Sequence, residues 1–130
     1  MKARIGIMSE DLVRTRMIAI AQGKYKPADD EPKVWYTSLN AVSQLLKPEN
    51  ISLLRMIEAE RPESLSVLAE LSGRKLSNLS NTLKSLCNKG FARLEKGQGK
   101  NIKPVALYTD FEIFICEEIE HRLSELKKAA

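Results

Sequence analysis

The stretch that most constrains the fold runs from Leu68 to Leu107, "LAELSGRKLSNLSNTLKSLCNKGFARLEKGQGKNIKPVAL". Within it Leu76, Leu79, Leu83 and Leu86 recur at the i, i+3, i+7, i+10 spacing of one helix face, which predicts a helix over 76–89. Upstream, Ala69 and Gly73 stand four residues apart with Leu68 before them. A small alanine lets two helices approach, and a glycine supplies the positive φ of a tight interhelical turn, so the pattern predicts a helix-turn-helix. Gly90 then stops the second helix in "NKGF". "FARLE" and "IKPVALY" read as two strands joined through "KGQGKN", a hairpin wing.

The polar face of the second helix is unusual. It carries Ser77, Asn81, Lys84, Ser85 and Asn88, with Asn78 at its border and no acid anywhere along it. Serine and asparagine are mediocre helix formers because their side chains compete for backbone hydrogen bonds. A face that only needed solvation would be better made of Glu, Lys and Gln. Short side chains that both donate and accept suit a helix pressed against base edges, and asparagine can engage adenine through two bonds.

Charge distribution points the same way. The formal net charge is only +4, yet Arg74 to Lys103 holds eight basic residues against the single acid Glu95. The remainder of the chain, thirteen bases against sixteen acids, is slightly negative. A basic block inside a foldable segment is the footprint of a polyanion-binding surface. The candidate DNA-contacting residues are therefore Arg74, Lys75, Ser77, Asn78, Ser80, Asn81, Lys84 and Ser85, with Lys96, Gln98, Lys100, Asn101 and Lys103 on the wing.

The rest of the chain reads as mostly helical. "ARIGIM" suits a short strand, and Ser9 opens a helix with Glu10 and Asp11 at its positive end. Val13, Met17 and Ile20 share its expected core face, and Gly23 ends it. "KYKPADDEPK" has two prolines and no periodicity, and reads as a linker. "VWYT" is a short strand or extended entry. Ser38 caps a helix with Leu39, Val42, Leu45 and Leu46 inward. Pro48 starts another that buries Ile51, Leu54 and Ile57, and Ser64 opens a third with Leu65, Leu68 and Leu71 inward. At the C-terminus, Asp110 can cap a helix striped by Phe111, Ile115, Ile119, Leu123 and Leu126, a stripe expected to pack on the N-terminal helix or on another chain. The alternation of Phe111, Ile113 and Ile115 also suits a strand pairing with "ARIGIM".

Several classes of function are disfavoured. Cys87 and Cys116 lie far apart, and the lone His121 stands among charged neighbours, so a metal centre is not expected. There is no nucleophile–base set and no phosphate-cradling loop in its strand–loop–helix setting, so no enzyme activity and no cofactor are expected. No apolar run is long enough to span a bilayer and no export signal opens the chain, so a cytoplasmic protein is expected.

"SLSVLAELSGRKLSNLSNTLKSLCNKGFARLEKG" resembles the winged helix-turn-helix core of MarR-like transcriptional regulators of bacteria and archaea. The resemblance covers roughly residues 48 to 108. "GKYKPADDEPKVWYTSLNAVSQLL" further resembles a subset of small regulators with a GEYKP-like segment. It implies a recognition helix over 76–89 and a wing over 92–108, without the long helical dimer arms typical of MarR proteins. The expected architecture is mainly α with a small β wing. Residues 1–36 form an N-terminal strand, helix and linker, 37–108 the winged helix-turn-helix, and 109–130 a C-terminal, dimerising helix. The expected function is sequence-specific duplex DNA binding by a homodimeric repressor or autoregulator. The competing expectation is an antitoxin or protein-interaction module that binds a toxin-like partner.

Overall fold

The computed structural model describes residues 2–129. In chain order the elements are β1 (Lys2–Ile7), α1 (Glu10–Ala21), β2 (Val34–Tyr36), α2 (Leu39–Leu45), α3 (Pro48–Glu60), α4 (Leu65–Ser72), α5 (Leu76–Asn88), β3 (Ala92–Lys96), β4 (Ile102–Ala106), β5 (Asp110–Phe114) and α6 (Glu117–Ala129). Among the described residues the architecture is mixed α/β, with six helices and two small sheets, not the mainly α arrangement expected. The correction comes from a three-stranded sheet in the order β2-β1-β5, separate from the β3-β4 hairpin. None of the described helices is long and apolar enough to cross a membrane.

The chain divides into two compact units, one of which gathers Gln44–Asp110. Pro48 occupies the first turn of α3, where its missing N–H removes nothing from the helix ladder. Ser64 caps α4 by accepting from the Val67 N–H. Gly73 ends α4 at φ +72°, a conformation in which any Cβ is strained, and α5 begins within three residues. Leu53, Leu54 and Ile57 of α3, Leu68 of α4 and Leu79, Leu83 and Leu86 of α5 supply the core, with Phe91 beneath the hairpin. The hairpin runs antiparallel from Ala92 opposite Ala106 to Lys96 opposite Ile102. Its tip is closed by the Gly97 N–H donating to the Asn101 carbonyl at 2.9 Å.

Here the helix stripes extend one residue beyond what the core covers. Leu71 in the last turn of α4 and Leu76 at the start of α5 are about half exposed, as is Leu39 at the start of α2. Leu71 and Leu76 flank the Gly73 turn, where both helices leave the core, and the repeat continues without anything to pack on.

The second unit joins Arg4–Ser43 to the C-terminal stretch from Phe111. β1 is its central strand, paired in parallel with β2 so that Gly6 lies beside Trp35. A Cβ at Gly6 would collide with the Trp35 ring, so any larger residue requires that ring to move. Ile5, Ile7 and Met8 are buried, the near-continuous apolar run of a strand covered on both faces. α1 packs on α6 around Met8, Ala19, Tyr25 and Leu123, with Leu12, Val13, Trp35, Ile119 and Leu126 closing the cluster.

Three expectations are corrected in this unit. The buried face of α1 carries Arg16 and Ala19, while Met17 is 64% exposed and Ile20 lies at the surface. Arg16 is admitted because its Nε donates to Glu31 Oε1 at 2.9 Å and its guanidinium lies over the Trp35 ring. The segment read as a linker is held down by the same carboxylate. Tyr25 donates its hydroxyl to both Glu31 oxygens at 3.0 Å, and the Ala28 N–H adds a further bond. Burial, followed by that bond to Glu31, pushes the Tyr25 phenol above its usual 10.0. Finally, Asp110 opens a strand, not a helix. The period-two alternation of Phe111, Ile113 and Ile115 prevails through Phe114, and α6 starts only at Glu117.

Candidate nucleic-acid interface

All residues of interest lie within the Gln44–Asp110 unit, so one compact set of elements positions them. The three fully buried leucines fix the rotation of α5: with Leu79, Leu83 and Leu86 inward, Ser77, Asn78, Asn81, Lys84 and Ser85 face outward and are exposed. Ser80 is half-buried at the edge of that face. Among the described residues, the side chains of Ser77, Asn78, Asn81 and Lys84 make no hydrogen bond or ion pair, leaving their donors and acceptors free. Ser85 differs, since its hydroxyl donates back to the Asn81 carbonyl.

The N-terminus of α5 has a distinctive chemistry. Its cap is Lys75, which gives no side-chain acceptor to the first N–H groups. The α3 cap, Lys47, is likewise without a capping bond. Both lysines, with Glu49, Asn50, Gly73, Arg74, Asn78 and Thr82, line one open concavity of about 470 Å³. Unsatisfied N–H groups at helix starts and cationic side chains both favour an anion there. Arg74 is more constrained than the sequence implied. Its guanidinium donates to the Asn50 Oδ1 at 3.2 Å and the Glu49 carbonyl at 2.8 Å, pinning the α4–α5 turn onto the start of α3.

Sequence reasoning missed Lys47 and Thr82. Lys47 was visible only as the residue before Pro48, and its place beside Lys75 depends on tertiary packing of α3 against α4 and α5. Thr82 fell between the leucine stripe and the polar face.

On the hairpin, Lys96, Gln98, Lys100 and Asn101 are exposed at or near the tip. Lys103 is half-buried and stands opposite Glu95 in the strand register. Glu95, the single acid of the basic block, also accepts from the Arg93 guanidinium at 2.9 Å. The cations nearest the acid are thus partly neutralised, while among the described residues Lys96 and Lys100 make no ion pair. Cys87 is half-buried, and burial pushes its thiol above the usual cysteine range. Among the described residues no three His, Cys, Asp or Glu side chains gather as a metal site.

Residues 45–113 match the sequence profile of the family described as HVO_A0114. No curated protein matches the chain. Among solved structures the chain is similar to one described as a predicted DNA-binding transcriptional regulator from E. coli, at 15% identity over 88% of this chain and 97% of that one. The TM-score of that likeness is 0.44, too low for it to carry an argument about this chain.

Proposed function

The chain belongs to the HVO_A0114 family, and from its own geometry we propose that it is a sequence-specific duplex DNA-binding transcriptional regulator, acting as a repressor or autoregulator. In this reading Gln44–Asp110 is a winged helix-turn-helix, α5 enters the major groove, and the β3–β4 wing lies along the backbone or in the adjacent minor groove. The observation that carries it is the outward face of α5. The side chains of Ser77, Asn78, Asn81 and Lys84 are exposed, make no hydrogen bond or ion pair among the described residues and stand without acids beside them, an expensive choice for a helix that faced only water.

Division of labour follows from position. Asn81, Ser77 and Lys84 are candidates for base edges, while Lys47, Lys75, Lys96 and Lys100 surround them as phosphate contacts. Arg74 acts by holding the turn in place, through its bonds to Asn50 and Glu49. No catalytic role is proposed for any residue.

Selection of duplex fragments from a random pool tests the reading. A recovered consensus motif, bound more tightly than random duplex and more weakly as salt rises, is the expected result. Recovery of no consensus, with binding insensitive to salt, would refute it and leave the protein-interaction reading in its place.

A further inference from the structure

We propose that the Arg4–Ser43 and C-terminal unit contains a binding site for a small amphipathic monocarboxylate, a cavity of about 280 Å³ lined by Arg4, Phe114, Ile119 and Arg122. Ala28, Pro32 and Cys116 complete its mostly apolar wall, and Asp30, Glu31 and Glu118 also border it. The volume suits a metabolite of about a dozen heavy atoms, near the small end of ligand sites.

Its cations are held in an unusual way. The Arg4 guanidinium lies 5.2 Å from the Phe114 ring centroid, and its one hydrogen bond is to the Asp30 carbonyl oxygen at 2.8 Å. The Arg122 guanidinium lies 4.7 Å from the Tyr25 ring centroid. Among the described residues neither has a carboxylate within ion-pair distance. Stacking on an aromatic face leaves a guanidinium's in-plane N–H groups open, and those form the fork that matches a carboxylate.

The bordering acids set the selectivity. Glu31 is already occupied by Arg16, Tyr25 and the Ala28 N–H, so it places no free charge in the cavity. Among the described residues the carboxylates of Asp30 and Glu118 are exposed and make no ion pair, so they offset the two guanidiniums and the site disfavours a dianion. A single carboxylate on an apolar body satisfies the guanidiniums and covers Phe114 and Ile119. An α-ammonium beside that carboxylate would meet Asp30 or Glu118, so amino acids and plain carboxylates share the required chemistry.

The test is an NMR titration of the full ¹⁵N-labelled chain, without DNA, using 3-phenylpropionate, L-phenylalanine, phenethylamine and phenylphosphonate as probes. Saturable shifts at Phe114, Ile119 and Arg122 with one or both carboxylates, and none with phenethylamine or the dianionic phosphonate, are expected. Comparing the two carboxylates shows whether an α-ammonium adds affinity. Arg122→Gln should weaken binding by about tenfold or more. Unsaturable shifts, or equal binding of phenethylamine, would overturn the site on the unaltered protein, whatever the fate of the variant. Because no DNA is present, failure here and failure of the regulatory reading are separate outcomes.

Discussion

Arg16 and Glu31 form a buried ion pair whose side chains are 10% and 3% exposed, at 2.9 Å. Glu31 is also the acceptor that fastens Tyr25 and the loop backbone, so removing it strands a guanidinium and a phenol at once. Glu31→Ala should destabilise the chain by about 3–5 kcal/mol in urea unfolding, because a buried charge loses its partner. Replacing both members, Arg16→Met with Glu31→Leu, should cost clearly less than Glu31→Ala alone; a double variant as unstable as the single one would show that the pair itself is not the cause. The phenol gives a pH signature. Its pKa is raised on folding, so its contribution is complete below pH 10.0 and is lost as pH rises through the raised value. Tyr25→Phe should therefore lose less stability than the unaltered chain in the alkaline range above 10.0, measured by denaturation at each pH. None of this was legible in the sequence. Arginine and glutamate are ordinarily surface residues, and Glu31 lies within a loop that has two prolines and no periodicity.

Elements were read best where one periodicity dominates. Leu79, Leu83 and Leu86 fix the inward face of α5, and with it the outward face proposed to meet DNA. Asn81→Ala should cost about 1–3 kcal/mol on the selected duplex and little on random duplex, read by fluorescence anisotropy. Lys96→Ala and Lys100→Ala should weaken both duplexes alike and flatten the salt dependence, since each lost phosphate contact removes roughly 0.9 from the log–log slope. Equal losses on both duplexes for Asn81→Ala would make it a backbone contact. The α1 face was misread because a buried arginine leaves the apolar residues Met17 and Ile20 on the wrong side of the helix. The Asp110–Phe114 segment was ambiguous because Phe111 and Ile115 fit a helical spacing and an alternating one equally. Only the presence of β1 as a partner decides for the strand.

At the scale of the molecule, the unit that joins Arg4–Ser43 to the stretch from Phe111 was legible only in the alternation of Phe111, Ile113 and Ile115, which suits a strand beside "ARIGIM". The packing of α1 on α6 was not fixed by it. The unit's formation changes what assembly requires. Leu123 is fully buried, and Ile119 and Leu126 close the cluster around Ala19 and Tyr25, so the α6 stripe expected to join two copies is occupied within one chain. In the proposed DNA-binding reading a single α5 would span too few base pairs for useful specificity, and a two-fold dimer would read two half-sites. The exposed large apolar side chains on α1 are Met17, Ile18 and Ile20, 64%, 50% and 36% exposed. We propose that a homodimer uses this face. Ile18→Asp should then yield a monomer with unchanged thermal stability and weaker binding to a duplex carrying both half-sites. Ile119→Asp should instead unfold its unit, because it places an unpaired charge against the α1–α6 cluster. Sedimentation equilibrium separates the two. An unaltered chain that stays monomeric at concentrations where it binds duplex tightly would exclude the dimer, and an Ile18→Asp variant that remains dimeric would place the interface elsewhere.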